Sequence, residues 1–268
     1  MNKIYSLKIK KLSLVVLSSK EYEYLWNNFC NLWIKYCSNF IIEKYIITSE
    51  KNKKYKGFKV ISGVSKACDP WGKRILEALK KIRSQNVLLM TDDCFVINNL
   101  DLKEMSECYN FFVNNNISYL RISVTPNENF YYKKGKYFIP YFSFHRICLQ
   151  PSLWKKKYLI RLLKKQENPR QFEMNGSLRT KKSDLIYSTN YDVIKYIEFV
   201  RNGKITPEAI YHIKKKSLKI NRKYKYMNFF EIFIYYYKKI KFILFYLISQ
   251  NFRKYYIKYR LTKNYIAL

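Results

Sequence analysis

The sequence predicts an α/β fold built on a doubly wound sheet. Three observations carry this: short apolar, β-branched runs recur along the chain, stretches with apolar residues at steps of three and four separate them, and an acidic pair follows the most continuous run directly. At 268 residues the chain has room for one large domain, or for one of roughly 200 residues carrying an appendage.

Leu12 to Leu17 has the length and branching of a buried strand, ended by Ser18-Ser19. Lys8, Lys10 and Lys11 precede it, but the apolar run is too short for a signal-peptide core and reads as a first strand. Tyr22, Leu25, Trp26, Phe29, Leu32, Trp33 and Tyr36 then mark one helix face. Ile41 to Thr48 is the second strand, Ser49 to Lys54 its loop, and Phe58 to Ile61 the third strand. A helix is expected from Trp71 to Arg83, with Ile75, Leu76, Leu79 and Ile82 facing inward. Asn86 to Thr91 is apolar throughout its middle, as central parallel strands are, and ends at Asp92-Asp93.

Beyond the pair, Leu102, Met105, Tyr109, Phe112 and Val113 predict another helix and Ser118 to Ile122 another strand. Lys134-Gly135 between aromatic runs suggests a hairpin over 130–139. A helix is expected near Ser152 to Lys164, with Asn168-Pro169 breaking the pattern. Asn202-Gly203 marks a turn, and Thr206-Pro207-Glu208 opens a helix with Thr as N-cap and Pro at its first position. After about Lys214 the chain becomes a basic aromatic tail whose one acid is Glu231.

The 48% hydrophobic and 18% aromatic content excludes a disordered chain. Lys and Arg number 52 against 19 Asp and Glu, a net charge of +33 that implies anionic partners: a lipid surface, phosphorylated substrates or nucleic acid. Cys30, Cys37, Cys68, Cys94, Cys108 and Cys148 form no C-x-x-C pair and no Cys/His cluster of zinc spacing, so reduced cytoplasmic thiols are expected. No stretch approaches the roughly 18 uninterrupted apolar residues of a membrane-spanning helix. His145 and His212 are isolated and carry no assigned role.

In open α/β sheets ligands bind beyond the carboxyl ends of the strands, where Asp92-Asp93 stands. Adjacent carboxylates repel, and a divalent cation replaces that repulsion with ligation; an acidic pair also simply opens loops. The order of elements up to Trp71-Gly72-Lys73-Arg74 and Asp92-Asp93-Cys94-Phe95 resembles the nucleotide-binding half of bacterial glycosyltransferases of the GT-A type. Leu149-Gln150-Pro151-Ser152-Leu153-Trp154, Glu167 to Glu173 and Arg201-Asn202-Gly203-Lys204 look like segments of such enzymes from surface-polysaccharide (capsule or lipopolysaccharide) gene clusters. The resemblance spans roughly residues 12 to 212, and implies a GT-A-like, Rossmann-like mixed sheet flanked by helices, with a separate tail over 213–268.

The resemblance further implies a metal-dependent transfer of sugar from a nucleotide-sugar donor to a glycan or lipid-linked acceptor. Asp92 and Asp93 would hold Mn²⁺ or Mg²⁺, with Asp93 the expected ligand and Asp92 turned towards ribose or sugar, because Cys94 stands where a third-position carboxylate is common. Lys73 and Arg74 would contact phosphate, and Ser18, Ser19, Thr48 and Glu50 the nucleoside. Glu173, in an irregular stretch after Pro169, would act as base for an inverting reaction, or else is a helix N-terminal Glu favoured by the dipole, and Gln150 and Trp154 would line the sugar pocket. Tryptophan at such spacing is otherwise core, and the two cations otherwise a solvated helix face.

In the tail, aromatic clusters at Phe229-Phe230, Tyr235 to Tyr237 and Phe242 to Tyr246 alternate with Lys238, Lys239 and Lys241. This pattern suits a helix in the headgroup layer of an anionic membrane, hence a location at the inner face of the cytoplasmic membrane. It also suits a helical subdomain packed on the core. The competing class is a non-catalytic nucleic-acid or membrane-surface binding protein, but no RNP-type, KH or zinc pattern is present and nucleic acid is not expected as a partner.

Overall fold

The computed structural model describes residues 6–49, 53–62, 69–124, 131–133, 135–141, 143, 145–216, 224–248, 252, 255 and 259. Glu50, Cys68, Phe130 and Lys134, named above, lie outside them, as do the side chains of Phe242, Ile243, Phe245 and Tyr246.

The first half follows the expected alternation. Strand β1 (Leu7–Leu17) leads through a single 3-10 turn to helix α1 (Glu23–Cys37), then β2 (Phe40–Thr48), β3 (Lys53–Tyr55), β4 (Phe58–Ser62), α2 (Trp71–Lys81) and β5 (Asn86–Thr91). Strands β4, β2, β1 and β5 lie side by side and parallel, and β3 closes that edge antiparallel to β4. Alternate side chains of the central strands bury on opposite faces. Leu14, Val16, Leu88 and Met90 meet Trp26, Phe29 and Trp33 of α1, while Val15, Leu17, Val87 and Leu89 meet Ile75 and Leu79 of α2. The apolar continuity of Asn86–Thr91 is thus the signature of a strand covered on both sides.

The second half departs from the sequence reading. It continues as β6 (Cys94–Val96), α3 (Leu102–Asn114), β7 (Tyr119–Arg121), the hairpin β8 (Tyr131–Lys133) and β9 (Lys136–Phe138), β10 (Ser152–Lys155), α4 (Lys156–Leu162), α5 (Pro169–Arg179), β11 (Ile186–Thr189), β12 (Tyr196–Glu198), β13 (Val200–Arg201), β14 (Lys204–Ile205), α6 (Pro207–Lys216), β15 (Lys225–Tyr226) and α7 (Phe229–Leu247). The helix expected from Ser152 is first a strand. β10 inserts antiparallel between β5 and β7, with Leu153 opposite Leu88 and Leu120. Helix α4 begins only at Lys156. The sheet runs β3-β4-β2-β1-β5-β10-β7-β11-β9-β8, an α/β mixed sheet flanked by helices as expected.

Asn168-Pro169 opens a helix instead of only breaking one. The Asn168 side chain accepts from Gln171 N while Gln171 reaches back to Asn168 N, a capping box with Pro at the first turn. Glu173 therefore sits on α5, not in an irregular stretch. The division expected at residue 212 falls inside α6, and Tyr224 and Tyr235 beyond it are buried against the core. Asn202 and Gly203, both at positive φ, form the expected turn between β13 and β14.

Candidate functional site

β1 and β5 run in register with Leu17 opposite Thr91, so Ser18 and Asp92 leave the sheet at the same end. Asp92 and Asp93 make the turn into β6. The two carboxylates have different surroundings. Asp92 is buried and accepts from Ser18 Oγ, which itself accepts from Trp26 Nε1 at 2.7 Å. Burial, then repulsion from Asp93, pushes the Asp92 carboxyl well above the usual range, so its neutral form is favoured.

Asp93 is half-buried and bonded to Thr91 Oγ1. Burial and the nearby Glu198 raise it to about 6, against the opposing Thr91 bond. Glu198 reaches this place through pairing of β12 with β6, which sets Glu198 opposite Cys94 and brings Phe199 N to Asp93 O at 2.7 Å. Arg201 holds Glu198 through Nε at 2.9 Å and a second guanidinium bond. Cys94, at the third position of the motif, is buried and its thiol raised by burial and by Asp93, so it stays protonated.

Glu173 projects from α5 and accepts from Leu149 N at 2.7 Å. Burial raises its pKa; the amide bond opposes this, and the charge of Asp93 adds to it, so the two carboxylates share one electrostatic neighbourhood. A cavity of about 650 Å³ opens beside them, lined by Glu173, Gln150, His145, Asp192, Tyr196 and Glu198, and on its other wall by Arg201, Tyr235, Lys238 and Lys239. Gln150 accepts from the Tyr196 hydroxyl. His145 has a φ of 51°, rare for a side-chain-bearing residue, and burial with nearby Arg121 and Arg170 lowers its pKa to about 4, leaving it neutral near pH 7.

The remaining candidates are distributed unevenly. Trp154 is a correction: it is fully buried among Tyr119, Tyr158 and Phe172, bonds Ser152 Oγ at 2.9 Å, and does not line the cavity. Thr48, at the end of β2, is buried with Oγ1 unpartnered. Ser19 donates to Glu21, lowering that acid's pKa. Lys73 pairs with Asp69 at 2.8 Å. Arg74 is buried with Nε unpartnered, and its charge is felt by Glu21 just after β1. Two of the amides opening α2 are already taken: Gly72 N donates to Glu167 O at 3.0 Å and Lys73 N to Lys165 O at 2.9 Å.

Sequence reasoning missed Glu198, Asp192 and His145. No local motif marks Glu198; only the β12–β6 pairing brings it to Asp93. Among the described residues no three His, Cys, Asp or Glu side chains gather to hold a metal unaided. Asp93 and Glu198 suit a cation such as Mg²⁺ that uses one or two carboxylates and completes its shell with phosphate and water.

No protein-family model matches the sequence, and no curated protein matches it. Among solved structures, S. aureus TarS 1–349 in complex with UDP aligns with TM-score 0.45 and 12% identity over 76% of this chain and 63% of that one. The same fragment in complex with UDP-GlcNAc gives 0.42 and 15% over 67% and 58%. The bifunctional IspDF of Campylobacter jejuni gives 0.42 and 12% over 70% and 52%. The chain thus spans less than two thirds of the length of each of these three.

Proposed function

We propose that this chain is a metal-dependent glycosyltransferase with a GT-A-like fold, moving a sugar from a nucleotide-sugar donor to a glycan or lipid-linked acceptor in surface-polysaccharide assembly at the inner face of the cytoplasmic membrane. One observation carries the reading: the half-buried carboxylate of Asp93, at the carboxyl end of the central strand, shares its field with Glu198 and Glu173 at the wall of an open cavity.

The chemistry asks for two things that these residues can supply. When the anomeric carbon leaves its phosphate oxygen, negative charge grows on the departing diphosphate, which Mn²⁺ or Mg²⁺ would neutralise as a Lewis acid. Asp93, with Glu198 near it, would be the ligand pair for that ion. Asp92, tied to Ser18, holds the end of β1 against the end of β5. As the acceptor oxygen bonds to the anomeric carbon, its proton passes to Glu173. The raised pKa of Glu173 makes it a stronger base than an exposed carboxylate. Gln150 and the neutral His145 would hydrogen-bond sugar hydroxyls, and Thr48 and Arg74, at the end of β2 and the start of α2, would flank the nucleotide.

A thermal-shift screen of UDP- and GDP-sugars with and without Mn²⁺ tests this. At least one donor is expected to stabilise the protein only with metal, and Asp93→Asn to abolish that response while folding normally. Tight RNA binding with a steep salt dependence, and no response to any donor, would replace the enzyme with a binding protein.

A further inference from the structure

Helix α7 carries apolar side chains on the side that faces solvent. Phe229, Phe230 and Phe233 are 88%, 68% and 62% exposed, and Tyr237, Ile240, Leu244 and Ile248 continue the stripe at helical steps. A soluble surface rarely leaves so continuous an apolar row uncovered. The opposite side of the helix is fixed. Tyr235 is buried and its hydroxyl donates to Glu208 Oε2 at 2.7 Å, Lys239 pairs with Glu208, and Glu231 pairs with Lys204. These contacts with α6 and β14 set the rotation of α7, so the exposed row is held outward by ion pairs.

Its charge identifies the occupant. Lys241 flanks the row, Lys238 is exposed further round the helix, and Lys225 is exposed just before it. The acid of the helix, Glu231, is taken by Lys204. A second copy of the chain would bring the same cations together, whereas an anionic bilayer neutralises them and accepts the phenyl and tyrosyl rings at headgroup depth. No helix among the described residues is long and apolar enough to cross a membrane, so α7 would lie along the surface. We infer that α7 is an interfacial docking helix for anionic phospholipid, inserting Phe229, Phe233, Tyr237 and Ile240 while Lys238 and Lys241 meet lipid phosphate. Because Tyr235, Lys238 and Lys239 also wall the cavity, the docked protein holds that cavity beside the headgroups. This last consequence rests on the cavity being the acceptor site; the docking does not.

Flotation of the full chain with vesicles tests it. Phosphatidylcholine with phosphatidylglycerol should carry the protein upward, phosphatidylcholine alone far less, and added salt should reverse the difference. Lys241→Ala should weaken binding about fivefold. Phe229→Ser with Phe233→Ser should weaken it at least about tenfold. The donor-induced thermal shift should survive in all of them, which separates a failure of docking from a failure of the donor reading. Wild type that stays below the vesicles overturns the inference, as does a sedimentation dimer that Phe229→Ser with Phe233→Ser converts to monomer.

Discussion

The half of the sheet built from β1, β2, β4 and β5 and the half built from β7, β10 and β11 are assembled by different rules. In the first, parallel strands follow one another with α1 and α2 covering opposite faces, and each strand is a self-contained apolar run. In the second, β10 enters antiparallel from later in the chain, and β12 crosses back to pair with β6. In the proposed reading the first half would supply the strand edge that meets the nucleotide. The second supplies the acidic wall opposite it, and Asp93 stands at the seam. Residues that look equivalent in sequence, such as Asp92 and Asp93, acquire separate tasks because one faces each half.

The largest effect should distinguish those two. Asp93→Asn is expected to lower transfer by about a thousandfold, as loss of a group that stabilises developing charge does, with a melting temperature no lower than wild type. Asp92→Asn, replacing a carboxyl already favoured in its neutral form, should change transfer by less than about tenfold in the same assay. Equal losses would dissolve the contrast.

The joint between the halves is next. Trp154→Ala on β10 should cost about 4 kcal/mol in urea denaturation, the usual range for removing a fully buried tryptophan. Gly72→Ala should cost about 3 kcal/mol by the same measurement, because its Cβ would fall 1.9 Å from the backbone oxygen of Lys164, where no flexible side chain can yield. A neutral result at Gly72 would mean that α2 is not seated on the 164–167 segment.

The smallest effect is a pH dependence. Asp93 is raised to about 6 from its ordinary 3.8, so the folded state retains a proton that the unfolded chain has lost between those values. Its contribution to stability therefore declines as pH rises from about 4 to about 6. Metal-supported donor binding has the opposite sense: it should strengthen over the upper part of that interval, as the carboxylate becomes free to ligate. Titration calorimetry at several pH values reads this directly, and a flat profile would remove Asp93 from the binding step.

The same division explains what could be read without coordinates. Leu12–Leu17, the α1 stripe and Asn86–Thr91 declare themselves because their neighbours in space are close in sequence and their burial is uniform. Ser152–Lys155 does not, since the true helix α4 begins at the next residue and its period spreads back over the strand; only the pairing of Leu153 with Leu88 decides the matter. Glu173 lines the cavity, and the capping box at Asn168 resolves its setting as helix, one of the two that the sequence allows. Glu198 carried no local signal. An aromatic ring in a core and one in a sugar pocket look alike in sequence, and the full burial of Trp154 decides for the core.

The seating of α2 has one more consequence. A helix with two of its opening amides already bonded to Lys165 and Glu167 has less of its dipole end to offer a diphosphate. Any pyrophosphate held at this edge must find its counter-charge in an ion or in mobile cationic side chains. Release of the spent nucleotide would then be governed by departure of that ion, so chelator should empty the site abruptly, where a helix-cradled phosphate would weaken by degrees.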